Sequence, residues 1–321
     1  MPLNQPTATA VLSASRFSQC LSQTRLPFAR EREILLDELC ASQEKSPVTA
    51  PLSLLQLQTD EDYVVWARVG NLSGTAPPAL RGVAGVLDPP RARALLFGGC
   101  FETVRAHGKC SADLIAHHID ASAWVAIDVL ASTAKPSARE GSSATQVGDS
   151  IYYFGGDAEG ALSNELFQLT PATLAWHRPF LTGARPPPRH EHAAAALSGR
   201  LWLFGGGSDG GYYDDLWVFD PPNARWSQPW ARGAAPSGRK GHGLVAIGTN
   251  LYLWGGCAAT CADVAVYSFD TLSMRWERRN GTTGAPPVPR EGHVTAVVHG
   301  RLMIFGGCDG KRGARMRVRT P

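Results

Sequence analysis

The chain has 321 residues, with 31 Lys and Arg against 28 Asp and Glu and a formal net charge of +3. This length fits two ordinary domains or one large repeat architecture, and the near balance of charge argues against a dedicated nucleic-acid binder. No apolar run reaches the ~20 residues of a membrane helix, which excludes a protein that spans the membrane with helices. Residues 1–30 and 311–321 hold eight basic residues and no acid, so residues 31–310 carry a net charge of −5.

Residues 1–50 precede the regular part of the chain. Residues 1–30 combine Arg, Ser and Thr without an acid, a composition found both in solvated tails and in organelle transit peptides. Ile34, Leu35 and Leu39 share one helical face, which predicts a short amphipathic helix. We therefore expect an N-terminal tail with a short helix, and a transit segment is the alternative for residues 1–30.

Two landmarks recur through residues 51–308. One is a diglycine after a short apolar run, with successive spacings of 57, 50, 50 and 51 residues, and the other is a tryptophan 29 to 32 residues before each diglycine. Two landmarks that keep a common period indicate an internal repeat. The diglycines begin at Gly98, Gly155, Gly205, Gly255 and Gly306, and the tryptophans are Trp66, Trp124, Trp176, Trp226 and Trp276.

Each repeat is predicted to form four short strands. In one unit these are residues 190–197, 200–206 and 215–220, followed by a strand that begins at Trp226. Aromatic and β-branched residues punctuated by Gly, Pro, Asn and Asp favour strands over helices. A single four-stranded sheet cannot bury both of its faces, so we expect neighbouring units to stack radially as a propeller.

The segment PSGRKGHGLVAIGTNLYLWGG followed by VYSFDTLSMRW, residues 236–276, resembles the kelch repeat. It has an Arg-x-Gly-His-like start, a second strand that ends in Gly-Gly, a third that ends in Phe-Asp, and a Trp about six residues later. The resemblance extends over residues 52–307 and implies a kelch-type β-propeller.

The repeats predict an all-β propeller of about five four-stranded blades in residues 51–308. Residues 51–69 match the last two strands of a unit and residues 290–307 match the first two, so the closing blade is expected to be shared between the chain ends. A fragment or splice product of a longer propeller is the alternative, and a basic tail is expected at 309–321. The four complete units are 81–130, 139–180, 189–230 and 239–280.

An arginine opens each unit at one repeated position. Five guanidinium groups at equivalent positions predict a ring that could bind carboxylates or phosphates of a partner. The alternative is that each arginine pairs with a neighbouring acid or caps carbonyl groups between blades. Tyr212 and Tyr213 would supply aromatic anchors, and the loops 157–164 and 207–214 would assist. The ring arginines are Arg81, Arg139, Arg189, Arg239 and Arg290.

The chain shows no convincing catalytic, cofactor or metal site. His192, His242 and His293 follow three of the arginines, but their places on separate blades predict structural roles. The plant specifier branch of the kelch family, to which the chain shows a resemblance, has an iron-linked motif of Glu, Asp and His at spacings of four. Asp113 and His117 match its last two positions, but Lys109 stands where the Glu is expected.

Seven cysteines are present. Cys100–Cys110 and Cys257–Cys261 each fall within one loop and would be local disulfides in an exported protein. The lack of a secretory segment and the odd count favour thiols instead.

The sequence predicts a non-enzymatic interaction scaffold that binds a protein or an acidic peptide through one propeller face. We expect a cytoplasmic monomer without a membrane span, and we do not expect nucleic acid as a partner. Two alternatives stay open: an enzyme that uses the axial mouth, as a metal-assisted lyase or a sugar-directed activity, and a substrate adaptor of a ubiquitin ligase, although no BTB domain and no convincing F-box is present.

Overall fold

The computed structural model describes residues 55–60, 63–68, 73–74, 76–101, 109–129, 134–258, 263–279 and 286–308, and for 55–60 and 63–68 it describes the main chain alone. The predicted N-terminal helix and the basic tail lie outside the described residues. Within these ranges the fold is all-β, apart from a single 3-10 turn at Pro89–Arg91. No described helix has the length and apolar character needed to cross a membrane.

The strands follow the predicted repeat. A hairpin of β1 (Leu55–Asp60) and β2 (Tyr63–Arg68) comes first. The next strands are β3 (Ser73–Gly74), β4 (Leu80–Arg81), β5 (Ala84–Asp88), β6 (Arg93–Phe97), β7 (Cys100–Phe101), β8 (Leu114–His118) and β9 (Ala123–Ile127). They are followed by β10 (Ser143–Val147), β11 (Ser150–Phe154), β12 (Asp157–Ala158), β13 (Ala161–Leu162), β14 (Leu166–Thr170) and β15 (Ala175–His177).

The second half of the fold repeats this order. Its first strands are β16 (Ala193–Leu197), β17 (Arg200–Phe204), β18 (Gly207–Ser208), β19 (Gly211–Tyr212), β20 (Leu216–Asp220) and β21 (Arg225–Ser227). Then come β22 (Arg232–Gly233), β23 (Gly243–Ile247), β24 (Asn250–Trp254), β25 (Val266–Asp270) and β26 (Arg275–Arg279). The last hairpin consists of β27 (Glu291–Val298) and β28 (Arg301–Cys308).

The described residues form four complete blades, and each contains four antiparallel strands in chain order, which we call a to d. Strand a of each blade contacts strand a of the next, from β5 through β10, β16 and β23 to β27, so the a strands line the inner side of the stack. The prediction of four complete four-stranded units is therefore confirmed. The blades are β5–β6–β8–β9, β10–β11–β14–β15, β16–β17–β20–β21 and β23–β24–β25–β26.

Three of the repeated tryptophans, Trp176, Trp226 and Trp276, pack between blades, as predicted. Trp226 on strand d of the third blade lies 5.1 Å, centre to centre, from the Phe154 ring of the second blade and 5.2 Å from Phe219 of its own. Trp276 makes the equivalent contact with Phe204 at 5.3 Å. The expectation that each indole N–H finds an acceptor is wrong for Trp226, whose buried Nε1 has no partner. Apolar burial rather than hydrogen bonding therefore fixes this side chain.

The segments that link the blades cover the outer edge of strand d. β22 pairs in parallel with β26, and β3 pairs in parallel with β9 in the same register. Thr182 forms a parallel bridge to Arg225 on the third blade. An uncovered outer strand would present free N–H and C=O groups to other chains, so these short pairings protect the edges of the blades.

The two half units form hairpins, as predicted. β1 pairs with β2 and β27 pairs with β28, both antiparallel. The hydrogen-bonded strand order keeps them as separate two-stranded sheets in the described residues. Closure through a shared fifth blade is not shown and stays a prediction.

The preference for thiols is wrong for three cysteines. Cys100 and Cys110 form a disulfide, and Cys257 is also disulfide-bonded. Cys308 is an exposed free thiol. Cys100 pairs with Arg81 across β7 and β4, so the first disulfide braces a loop beside a repeated arginine.

Truncation of a tryptophan between blades should unfold the protein at lower denaturant. Trp226→Ala removes a side chain that is 1% exposed, and we expect a loss of about 3–5 kcal/mol from the free energy of unfolding. Trp230→Ala is the matched control, because Trp230 is 87% exposed and its loss should cost less than about 0.5 kcal/mol. Urea unfolding of both variants measures the difference, and equal midpoints would contradict packing between blades.

Candidate binding face

The repeated arginines and the loops between strands b and c lie at the same end of the blades. His190, next to Arg189, forms a β-bridge with Gly207, directly after a diglycine, and Lys240 forms the same bridge with Cys257. The structure therefore places both sequence-predicted features on one face. We call this the loop face, and it comprises the five arginine positions and the loops 157–164 and 207–214.

Arg189 is fully buried at this face and its guanidinium group is saturated with contacts. Its Nε donates to the Pro187 carbonyl at 3.0 Å and its Nη1 to the Gly205 carbonyl at 2.9 Å. Nη1 and Nη2 also donate to the two carboxylate oxygens of Asp215, at 2.6 and 2.8 Å. The guanidinium carbon lies 4.1 Å from the centre of the Tyr213 ring. One side chain thus joins the linking loop, the end of strand b and the start of strand c.

The same contacts recur at three other positions of the predicted ring. Each Nε donates to the carbonyl two residues upstream, and each Nη1 donates to the first glycine carbonyl of its own blade. Two of these arginines also pair with an acid, Glu165 at 3.1 Å and Asp263 at 2.9 Å. Residue exposures are 2% for Arg139, 2% for Arg239 and 4% for Arg290.

The predicted ring of exposed guanidinium groups is therefore corrected at four of its five positions. Arg139, Arg189, Arg239 and Arg290 are buried because they bind carbonyl groups within the fold, and acids also bind the first three. The alternative drawn from the sequence, acid pairing and carbonyl capping, describes them. Their burial leaves no guanidinium edge at the surface for a partner to bind.

The backbone of each of the four buried arginines links its unit to the preceding blade. Gly206 of the third blade donates its N–H to the Arg239 carbonyl of the fourth at 2.8 Å. A Cβ at Gly205 would lie 2.7 Å from that same carbonyl oxygen, at a φ of +67°, so the diglycine is required by close approach as well as by conformation. Equivalent bonds join Gly99 to Arg139, Gly156 to Arg189 and Gly256 to Arg290.

The histidines that follow the arginines are buried and neutral. Burial, with Arg239 nearby, lowers the pKa of His242 to about 3, and burial with Arg290 lowers the pKa of His293 to about 4. The His242 ring packs edge-on against Phe204, so this side chain takes part in packing within the fold. Across the described part of the chain, no group of three or more His, Cys, Asp or Glu could hold a metal ion.

Arg81 differs from the other four arginines. Its side chain is 50% exposed, and it pairs with Glu140 of the next blade through Nε at 2.9 Å and through Nη2 at 3.0 Å. Of the predicted binding arginines, Arg81 alone is available at the surface. Its carboxylate partner already neutralises part of its charge, so it is a weak attractor of acids.

The two predicted aromatic anchors have separate roles. Tyr212 is 43% exposed and pairs with Gly207 at the base of the hairpin formed by β18 and β19. Tyr213 is partly buried and lies under the Arg189 guanidinium. Tyr212 can therefore contact a partner, whereas Tyr213 supports the buried arginine.

Charged residues beside the buried arginines remain accessible. Lys240 Nζ lies 3.0 Å from a carboxylate oxygen of Glu191, and although burial opposes it, this carboxylate raises the pKa of Lys240. Burial, with repulsion from Glu191, raises the pKa of Glu291. Sequence reasoning missed these three side chains, although each stands one or two residues after a repeated arginine.

Glu191 has a strained backbone. Its φ is +50°, in the left-handed region, whereas the other blades have glycine at the equivalent position. A residue with a Cβ costs of order 1 kcal/mol more than glycine there. Its N–H still donates to the Gly141 carbonyl at 2.7 Å, so glycine would serve the fold equally well. The equivalent glycines are Gly82, Gly141, Gly241 and Gly292.

A family model named KLHDC2/KLHL20/DRC7 Kelch-repeats domain matches residues 43–256 and 225–317. The chain belongs to the kelch-repeat family. No curated protein matches it. Kelch repeats suggest protein–protein interaction, and domains of this kind are typically non-enzymatic interaction modules.

The specifier-type motif of the kelch family gains no support from the geometry. The Asp113 carboxylate accepts a hydrogen bond from the Ser111 hydroxyl at 2.8 Å, and the Asp113 N–H donates to the Ser111 hydroxyl oxygen at 2.8 Å. His117 is fully buried against the Trp124 ring, 4.6 Å between centres. Asp113 therefore stabilises a turn and His117 fills the core.

Removal of a buried arginine should destabilise this kelch domain. Arg189→Met removes the arginine donors from Asp215 and from two carbonyl groups, and we expect a loss of about 3–5 kcal/mol. Arg81→Met is the matched control, because an exposed pair contributes at most about 1 kcal/mol. Denaturant unfolding of both variants measures the costs, and a small loss for Arg189→Met would contradict its structural role.

Acid should also destabilise the domain. The folded-state pKa values of His242 and His293 lie below the ordinary value of 6.5, so the unfolded chain binds more protons in this range. Their contribution to stability is complete above about pH 7 and falls as the pH drops towards 4. Urea unfolding from pH 7.5 to 5 should give a shallower slope for His242→Leu than for the unmodified chain, and identical slopes would contradict the prediction.

Proposed function

We propose that the protein is a non-enzymatic scaffold whose loop face binds a partner protein. The observation that carries this proposal is a difference in burial between the repeated arginines and the residues that follow them. Four of the repeated arginines are buried, whereas the residues directly after them are partly exposed and vary between Glu, His and Lys. These variable residues are Glu140, His190, Lys240 and Glu291.

Variable side chains on a repeated framework suit specific recognition. The framework fixes their backbones, because the segments after the arginines are hydrogen-bonded from blade to blade, as at Gly241 N to Glu191 O, 2.8 Å. Their side chains are not needed for that bonding. Tyr212 adds an exposed aromatic ring at the same face, the type of residue that anchors interfaces.

The strain at Glu191 also supports a role in binding. A residue that costs stability where glycine would fit is expected where its side chain is used. Its carboxylate contacts Lys240 and lies near His190, with 3.9 Å between Oε1 and Nδ1. Glu191 therefore projects a charged group at the centre of the proposed site without any packing role.

The chemistry of this face alters the partner expected from the sequence. An acidic peptide was expected because of the five arginines, but four are buried. The carboxylates of Glu191 and Glu291 remain at the surface, and the positive charge of Lys240 lies beside them. Basic or mixed-charge segments are therefore better partners for the loop face than acidic ones.

Cytoplasmic location and the monomeric state stay predictions. Disulfides are rare in the reducing cytosol, so the Cys100–Cys110 bond favours an oxidising compartment over the cytoplasm. The axial-mouth enzyme and the ubiquitin-ligase adaptor stay alternatives, and no contact in the described residues favours either.

Loop-face variants should lose the partner but keep the fold. In affinity capture with the full chain, Tyr212→Ala and Glu191→Gly should each reduce the captured protein about tenfold or more, as for hot-spot residues. Glu191→Gly should at the same time leave the unfolding free energy unchanged or raise it by about 1 kcal/mol.

Arg200→Ala is the matched control, since Arg200 is exposed at the a–b turn, at the opposite end of the third blade. It should leave capture intact. Undiminished capture by both loop-face variants would overturn the proposal.

A further inference from the structure

The outer edge of the fourth blade carries an unusual pair of like charges. Arg232 on β22 is the register partner of Arg275 on β26, and both side chains are exposed. Neither makes an ion pair or a side-chain hydrogen bond in the part of the chain that the structure describes. Like charges at paired positions destabilise a sheet, so the fold gains nothing from them.

Large apolar side chains are exposed beside these two arginines. Trp230 is 87% exposed and stands two residues before Arg232, while Leu272 is 78% exposed in the c–d turn before Arg275. Arg232 N donates to the Met274 carbonyl at 2.9 Å, which brings the two segments side by side. Exposed Trp and Leu flanked by free guanidinium groups are a common composition of a binding surface.

The first blade shows that edge protection does not require this composition. There β3 pairs in parallel with β9 in the same way, but the register partners are Ser73 and Ala123. The glycines that follow, Gly74 and Gly233, make the same close approach to the carbonyls of the next repeated tryptophans. The architecture is the same with small neutral residues, so the two arginines serve another purpose.

The third blade extends the basic character. Arg225 occupies the position of Arg275 there and is exposed without an ion pair in the described residues. The linking segment beside it carries Phe180, which is 87% exposed and stands four residues after its repeated tryptophan, as Trp230 does. The first complete unit has Asp128 at that place. Aromatic and basic residues thus coincide on adjacent blades.

We propose that the outer-strand surface, defined by Trp230, Arg232, Leu272 and Arg275, binds an acidic segment of a partner protein that also carries an apolar side chain. Guanidinium groups bind carboxylates bidentately, and neither arginine forms an ion pair in the described residues; the nearby Asp270 carboxylate accepts hydrogen bonds from Leu272 N and Ser273 Oγ instead. Trp230 and Leu272 bind the apolar side chain. This surface is separate from the loop face and goes beyond the function proposed for it.

The test uses the full chain and a fluorescent peptide that alternates Glu and Leu, with its Lys and Leu counterpart as the charge control. Fluorescence anisotropy should show saturable binding of the Glu and Leu peptide and no saturable binding of the Lys and Leu peptide. Trp230→Ala and the double variant Arg232→Glu with Arg275→Glu should each weaken it about tenfold or more. Arg200→Glu, which changes the same charge away from this surface, should not weaken it.

Thermal melting confirms that each variant is folded, and Glu191→Gly should leave peptide binding unchanged, so this test is independent of the loop face. Unaltered binding by the double variant would overturn the proposal. If single-stranded DNA or phosphatidylserine vesicles bind more tightly than the peptide, the partner of this surface is another polyanion and not an acidic protein segment. If the chain self-associates and its associated form no longer binds the peptide, the surface is assigned to a second copy of the chain.

Discussion

The fold depends on the buried arginine that opens four of the five repeat units. A guanidinium group has five N–H donors in a fixed plane, and Arg189 uses them to bind the linking loop, the end of strand b and an acid at the start of strand c. Its backbone carbonyl accepts from Gly156 of the preceding blade at 2.9 Å. The side chain thus organises one blade and the backbone joins it to the next.

This arrangement explains why the repeats keep some residues and vary others. Any side chain at Gly205 would collide with the Arg239 carbonyl, so the diglycine and the arginine constrain one another. The next residues, His190 and Lys240, contribute their backbones to the same junction while their side chains face outward. Recognition can therefore change at these positions without disturbing the contacts that hold the blades together.

The architecture could be predicted from the sequence because each repeat of the diglycine and tryptophan landmarks corresponds to one repeat of the strands. The strand set and the packing of Trp226 follow from landmarks that stay in register. The burial of the arginines could not be predicted in the same way, because a charged residue at a repeated position is equally compatible with an exposed ring of charges and with a set of internal ion pairs. A signal was present: Glu165, Asp215 and Asp263 follow their arginines by 24 to 26 residues, and an acid at a constant interval within a repeat indicates an internal partner.

The outer-strand surface was missed for a different reason. Arg275 directly precedes a buried tryptophan, and alternation along a strand places it on the exposed side, but its neighbour Arg232 comes from the preceding unit. Parallel pairing across units cannot be read from a single repeat.

The net charge of +3 conceals this surface, because it sums the basic chain ends with a net charge of −5 over residues 31–310. Charges more than about 8 Å apart are largely screened at physiological salt. Each surface therefore presents its own charge to a partner, and two partners of opposite character can be selected on one domain of nearly balanced charge.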